Sequence, residues 1–370
     1  MINIYNPDIS KYSSSAIKAI NSGWISNHGP FIKLAEDKIK NIIKSKYCIL
    51  MANGTCATHC LMLSLKYKYP NINKIYVSNN SYVAAWNMVL MEYNIEQLEV
   101  MKMNLNTWNI NTTEDYIKSL DSNSAMLIVH NLGNIINVPR LKKIRPDIIF
   151  LEDNCEGLFG KYNECYSGTS NDILCSSCSF YGNKILTTGE GGAFYTQHED
   201  IYNYIKNVYS QGMSNIRYLH DVHAYNYRMT NIEAAFLYDQ LNDIENVLEI
   251  KYKIFKNYDE LLIPLIKINK IILIEKENNT INAPWIYALR IINNNKTIEE
   301  TSEFFKTHNV DIRPFFYPIN KHRHLTNIEN NDEVSVLLNK EIIMIPSSPS
   351  ITMDEQKQVV DTINKFLTIE

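Results

Sequence analysis

The 370-residue sequence predicts an α/β protein: a large domain on a mostly parallel mixed sheet, followed by a smaller α+β domain. Three observations carry this expectation. Between about residues 30 and 245, short apolar runs alternate with stretches whose apolar residues recur at helical spacing, which is how strands joined by covering helices read. Beyond residue 248 that alternation stops, and Pro264, Pro284, Pro314 and Pro318 punctuate shorter segments separated by Asn-rich loops. Hydrophobic residues make up 45% of the chain, enough for a sizeable core. The expected division is 1–248 and 249–370.

Taken in order, Phe31, Ala35, Ile39 and Ile42 mark a first helix face. Residues 47–51 form a short buried-strand candidate. The turn Asn53-Gly54-Thr55 then leads into a helix over 56–66. Further strands are expected at 75–77, 98–101, 126–130, 148–152, 173–180 and 192–195, and one long helix from residue 231 to about 248. In such sheets ligands bind beyond the carboxyl ends of the strands.

A net charge of −4 gives no basic surface for nucleic acid. No apolar run approaches the roughly 18 residues of a membrane span. The start of the chain, Met1 to Pro7, lacks a basic segment followed by an apolar one, so a cytoplasmic enzyme or a soluble binding protein is expected. Seven scattered cysteines argue against a disulfide framework. Cys175 and Cys178 mimic half a zinc or redox site, but residues three apart on a strand point to opposite faces, and no second pair stands at zinc spacing. No metal site is expected.

Lys184 is the residue with chemical promise. It follows the apolar run ending at Phe180 and precedes a Thr- and Gly-rich turn. A lysine at the end of a buried strand loses its proton more readily than one in water, and a neutral amine can join an aldehyde as a Schiff base. Four other features fall where one cofactor would need them. Asn53-Gly54-Thr55 at a strand-to-helix turn offers free N–H groups to an anion. Asp153, at the end of the apolar run 147–151, could pair with a protonated ring nitrogen. Ser179, five residues before Lys184, could meet a phosphate oxygen. Tyr82 could stack on a flat ring. Each has a plainer reading on its own: an ordinary βα turn, a capping aspartate, a serine paired within the sheet, a core tyrosine.

Their order along the chain, Gly-Thr turn, aromatic, Asp, Ser, Lys, resembles that of the DegT/DnrJ/EryC1/StrS sugar aminotransferases. The likeness extends from Ser22-Gly23-Trp24-Ile25-Ser26 to Arg313-Pro314-Phe315-Phe316-Tyr317-Pro318. It includes Glu152-Asp153-Asn154-Cys155-Glu156, the run from Thr187 to Gly192, and Tyr225-Asn226-Tyr227-Arg228. The resemblance implies the fold of aspartate aminotransferase (fold type I) and pyridoxal 5′-phosphate as cofactor. It implies that Lys184 is joined to the cofactor's aldehyde, with Asp153 on the pyridine nitrogen and Glu156 near the ring hydroxyl, where the family often has Gln. Ser179, Thr55 and the Gly54 and Cys56 backbone would hold the phosphate, and Tyr82 would stack on the ring. Asn226 would reach the cofactor of a neighbouring subunit, so a homodimer with shared sites is implied. Substrate contacts are expected from Trp24, Ser26, Asn183, Arg228, Arg313, Tyr317 and Asn320.

Within the family, the runs 180–184, 210–213 and 225–232 look most like the branch that aminates C4 of GDP-4-keto-6-deoxymannose, with L-glutamate as donor. The alternative is C4 amination of UDP- or dTDP-4-keto-6-deoxyglucose. Family members that dehydrate instead carry histidine in place of the Schiff-base lysine, whereas Lys184 is a lysine. A sugar-nucleotide binder without catalysis is the rival from another class, and the complete cofactor set argues against it. Two departures stand out. Asn320 occupies a place where the family often has a substrate-facing histidine, which His322 or His324 would have to replace. The run Val222-His223-Ala224-Tyr225 lacks a usual glycine.

Overall fold

The computed structural model describes residues 1–368. The chain enters through α1 (Ser14–Ser22) and α2 (Pro30–Ile43) and starts the main sheet with β1 (Tyr47–Met51). Alternation follows as expected: α3 (Gly54–Lys68), β2 (Lys74–Ser78), α4 (Ala84–Glu92), β3 (Leu98–Met101), α5 (Glu114–Lys118), β4 (Ser124–Val129), α6 (Val138–Ile144) and β5 (Ile149–Asp153). A small hairpin of β6 (Lys161–Tyr162) and β7 (Cys165–Tyr166) precedes β8 (Ile173–Ser179) and β9 (Gly192–Thr196). Then come α7 (Glu199–Val208) and α8 (Asn231–Asn242).

The main sheet has seven strands in the order β1-β9-β8-β5-β4-β2-β3. Neighbours from β8 through β3 are parallel, while β9 runs antiparallel to both β8 and β1. Alternate residues of each strand serve opposite faces. On β1, Ile49 and Met51 join the core under α3, α4 and α7, whereas Cys48 and Leu50 join the core under α2 and α8. Cys175 and Cys178 divide the same way, one into each core, and all seven cysteines are unpaired. The parallel run brings the carboxyl ends of β4, β5 and β8 side by side, next to the start of α3.

The single helix expected from residue 231 to 248 is two helices. Asp243 leaves the helical path between α8 and α9 (Ile244–Lys267), and its carboxylate accepts hydrogen bonds from Tyr12 O–H (2.7 Å) and Asn246 (3.2 Å). The 24-residue α9 crosses residue 248. Val247 still packs on the large-domain core, while Ile254, Tyr258, Leu262 and Leu265 belong to a second core. That second core lies under an antiparallel sheet of β10 (Ile271–Ile272), β12 (Tyr287–Ile291), β14 (Ile342–Ile345) and β13 (Arg313–Pro314). Helices α10 (Ile298–Thr307) and α12 (Met353–Thr368) complete its cover, and α11 (Glu333–Glu341) leads into β14. A short β11 (Thr280–Ile281) pairs instead with β6 of the large domain. Among the described residues, no helix is long and apolar enough to cross a membrane.

Candidate active site

A cavity of about 880 Å³ opens at the carboxyl ends of β4, β5 and β8, between the two cores. Its floor begins at the β1–α3 turn. Asn53 caps α3, its side-chain oxygen accepting the Cys56 N–H at 2.9 Å. The N–H groups of Gly54 and Thr55 open the first turn, where no intrahelical acceptor exists. Only glycine fits at 54: a Cβ there would lie 2.7 Å from the Cβ of Ser179 and 3.2 Å from the Cys155 sulfur. Ser179 ends β8 beside this turn, its hydroxyl accepting the Tyr181 N–H at 3.2 Å. Together these groups form a cradle with the positive end of a 15-residue helix behind it.

Asp153 ends β5 and is nearly buried. Its carboxylate accepts the Cys155 N–H (3.1 Å) and, at 3.4 Å, the hydroxyl of Thr58, which also meets the Ser177 hydroxyl at 3.0 Å. The preceding Glu152 points the other way and is fully buried. It accepts from Tyr162 O–H at 2.8 Å and stands 2.8 Å from Nε2 of His130. Because the Ile136 N–H donates to Nδ1 of that ring, the imidazole hydrogen sits on Nε2 and points at Glu152. This closed set of bonds fixes the end of β5, and with it the direction of Asp153.

Glu156 also lines the cavity. Burial pushes its carboxyl up to about 7, against the opposing pull of Lys184 and of the Leu132 N–H, which donates to it at 2.8 Å. Lys184 is not at a strand end, as the sequence suggests, but in a turn five residues past the end of β8, half-buried, with its N–H donating to Tyr181 C=O at 2.9 Å. Ser179 ends the strand because the chain must leave the sheet to form the turn that Tyr181 and Gly189 close. The Lys184 amine lies 3.9 Å from the centroid of the Trp285 ring, over its face.

Of the expected residues, Gly54, Thr55, Tyr82, Asp153, Glu156, Ser179, Asn183, Lys184, Arg313 and Tyr317 all line this one cavity. Six do not. The Cys56 N–H is engaged by Asn53. Trp24, Ser26 and Asn226 are exposed away from the cavity, and Arg228 donates to Ser210 Oγ and Gln211 Oε1. Asn320 accepts from Asn330 at 3.4 Å, while His322, two residues on, reaches the cavity wall. His324 is held by Asn87 at 2.8 Å. Tyr82 is 62% exposed at the cavity's edge, so it is not a core tyrosine. Among the cavity residues that escape sequence reading are Trp285, which only the three-dimensional fold brings to Lys184, and Lys251. The second left a signal, a lysine on the apolar stripe Val247, Ile254, Tyr258 of α9.

The sequence profile of the DegT/DnrJ/EryC1/StrS aminotransferase family matches residues 8–364. The chain belongs to that family. It is a pyridoxal-phosphate-dependent nucleotide-sugar aminotransferase of fold type I. The GDP-perosamine synthase of Escherichia coli O157:H7 is 28% identical to this aminotransferase over 374 residues, covering 99% of the chain and 98% of the relative. That of Vibrio cholerae is 26% identical over 99% of both. Among solved structures, an aminotransferase from Psychrobacter cryohalolentis superposes with a TM-score of 0.89 at 18% identity, over 100% of this chain and 99% of the other.

The cavity fits the family's cofactor. The cradle suits a phosphate, and the carboxylate of Asp153 faces the same space as the amine of Lys184. Ser81 Oγ, Asn183 Oδ1 and His322 Nε2, all on cavity-lining residues, are buried with no hydrogen-bond partner among the described residues. At a cavity wall such atoms are free to meet a bound ligand or water.

Proposed function

We propose that this aminotransferase moves nitrogen from L-glutamate to C4 of a nucleotide-linked 4-keto-6-deoxyhexose, with GDP-4-keto-6-deoxymannose as substrate and GDP-perosamine as product. The observation that carries the reading is the meeting of Lys184, Asp153 and the α3 cradle in one cavity of about 880 Å³, within the range of small-molecule sites. The perosamine synthases among its relatives support the choice of sugar.

Bound pyridoxal phosphate supplies an aldehyde that takes up amines and a protonated ring that draws off electrons. The chain supplies the rest. Gly54, Thr55 and Ser179 would hold the cofactor's phosphate, Asp153 would keep a proton on the ring nitrogen, Tyr82 would cover the ring, and Glu156 would lie near the ring hydroxyl. The Cys56 N–H joins the cradle only if Asn53 lets it go. Lys184 Nζ takes the α-proton of glutamate in the first half-reaction and delivers a proton to C4 of the sugar in the second. Asn183, Arg313 and Tyr317 contact the nucleotide sugar, and His322 takes the place on the wall that Asn320 does not reach.

Trp24, Ser26, Asn226 and Arg228 serve the site of a second copy in a homodimer. Their position outside their own cavity supports this, as do the exposed Ile216, Tyr218 and Leu219 in the loop before Asn226. The enzyme works in the cytoplasm, a placement that its seven unpaired cysteines support. We also keep the proposed domain division at 248/249, near where α9 passes from one core to the other.

The test is a glutamate-dependent assay run in parallel on GDP-, UDP- and dTDP-4-keto-6-deoxyhexoses. Amination of the GDP sugar with a kcat/KM at least about tenfold above the others is expected. Preference for a UDP or dTDP sugar would overturn the perosamine assignment and favour the viosamine-type alternative.

A further inference from the structure

Lys251 is an anomaly on α9. It occupies a core-facing position, is 3% exposed, and has no carboxylate partner among the described residues. Burial pushes its amine down to about 7, and charged or neutral, its buried N–H groups need acceptors. Here they are two main-chain carbonyls, those of Trp285 (2.9 Å) and Ser347. Trp285 lies two residues before β12, and Ser347 two residues after its partner β14. Ser347 Oγ also accepts the Tyr287 N–H at 3.0 Å, so both loops are tied to one nitrogen. Trp285 in turn is nearly buried; its indole N–H donates to Asn183 C=O at 2.9 Å, and its face covers the Lys184 amine.

From this chain of contacts we infer that Lys251 is a positioning residue that acts through Trp285, holding the indole over the amine of Lys184. Without it, the Trp285 carbonyl loses its donor, the loop before β12 gains freedom, and the ring no longer caps the amine. The ring matters to that amine for two reasons. Its face holds the nitrogen in place across a 3.9 Å contact, and its bulk shields it from attack. Arginine would be a poor substitute, because a planar fork does not place two donors on carbonyls from separate loops as a small ammonium does.

The inference rests on Lys184 being the reactive amine, but its test does not. The full chain, freed of cofactor, is treated at pH 7 with limiting N-acetoxysuccinimide, and acetylation of Lys184 is followed by mass spectrometry. Exposed Lys143 in the same sample is the control. Trp285→Leu should label about fivefold faster at Lys184 than the parent. Lys251→Met should reach a similar rate, and the double variant should match Trp285→Leu within about twofold, since residues acting along one path are not additive. Lys143 should not change in any of them. A parent-like rate in Lys251→Met, or a further rise in the double variant, would overturn the inference. If Lys251→Met yields no folded protein, Lys251→Gln takes its place with the same two outcomes. Whether Lys184 carries the cofactor is read separately, from the visible absorbance of the loaded Lys184→Ala variant.

Discussion

Glu156 is a buried carboxyl in the cavity wall, and its proton affinity follows from that burial. Burial lifts it from an ordinary 4.5 to about 7. Between those two pH values the folded chain keeps a proton that the unfolded chain has already released. Stability therefore falls as pH rises from about 4.5 to about 7 and levels off above, a loss on the order of 3 kcal/mol. Glu156→Gln keeps the shape and cannot ionise. Urea unfolding of the cofactor-free chain at pH 5 and pH 7.5 should show that loss in the parent and not in the variant; equal slopes in both would mean that another group is responsible. At this scale the sequence was generous with polar residues and silent on their neighbours. Lys184, Asp153 and Ser179 were legible because each sits near the end of an apolar run. Trp285 was not, because it lies 101 residues from Lys184 along the chain and meets it only through the packing of two cores.

Among elements, the β1–α3 turn carries the most chemistry in the fewest residues. Its fit with the end of β8 leaves no room for a methyl group at position 54, where the nearest obstacle is the Cβ of Ser179, which cannot swing away. Gly54→Ala should cost about 1–3 kcal/mol of stability through overpacking and should weaken cofactor binding by about tenfold or more, because the helix start must shift. Fluorescence titration with pyridoxal phosphate checks it; parent-like affinity would show that the cradle tolerates the shift. The strands were read closely from their apolar runs, β3 to the residue and β8 to within one. The break between α8 and α9 was not, since nothing local at Asp243 demands it. Its carboxylate is claimed by Tyr12, a partner 231 residues away.

For the whole molecule, the decisive question is whether one site draws on two chains. Asn226 and Arg228 lie in the segment just before α8, outside the cavity of their own chain. Lys184→Ala and Asn226→Ala should each lose most activity alone. Mixed one to one and allowed to exchange, half the dimers would be hybrids with one intact site each. Activity should then return to about one quarter of the parent's. A mixture no better than its components would sink the shared-site proposal. The layered α/β plan was readable from alternation alone, and the family's motifs gave its type. How the smaller core docks was not readable, because α9 shows one continuous apolar stripe and gives no sign of where its allegiance changes.

That unbroken helix bears on anyone who would build chimaeras from these enzymes. A seam placed at residue 248 would cut a rod of about 36 Å near its first turn, although it would leave Lys251 and the Trp285 loop on the same parent. Joining parental sequences after Lys267 instead would keep the rod whole, yet would pair Lys251 of one parent with the loops of the other. Recombinants that exchange sugar preference therefore need position 251 and position 285 from the same parent.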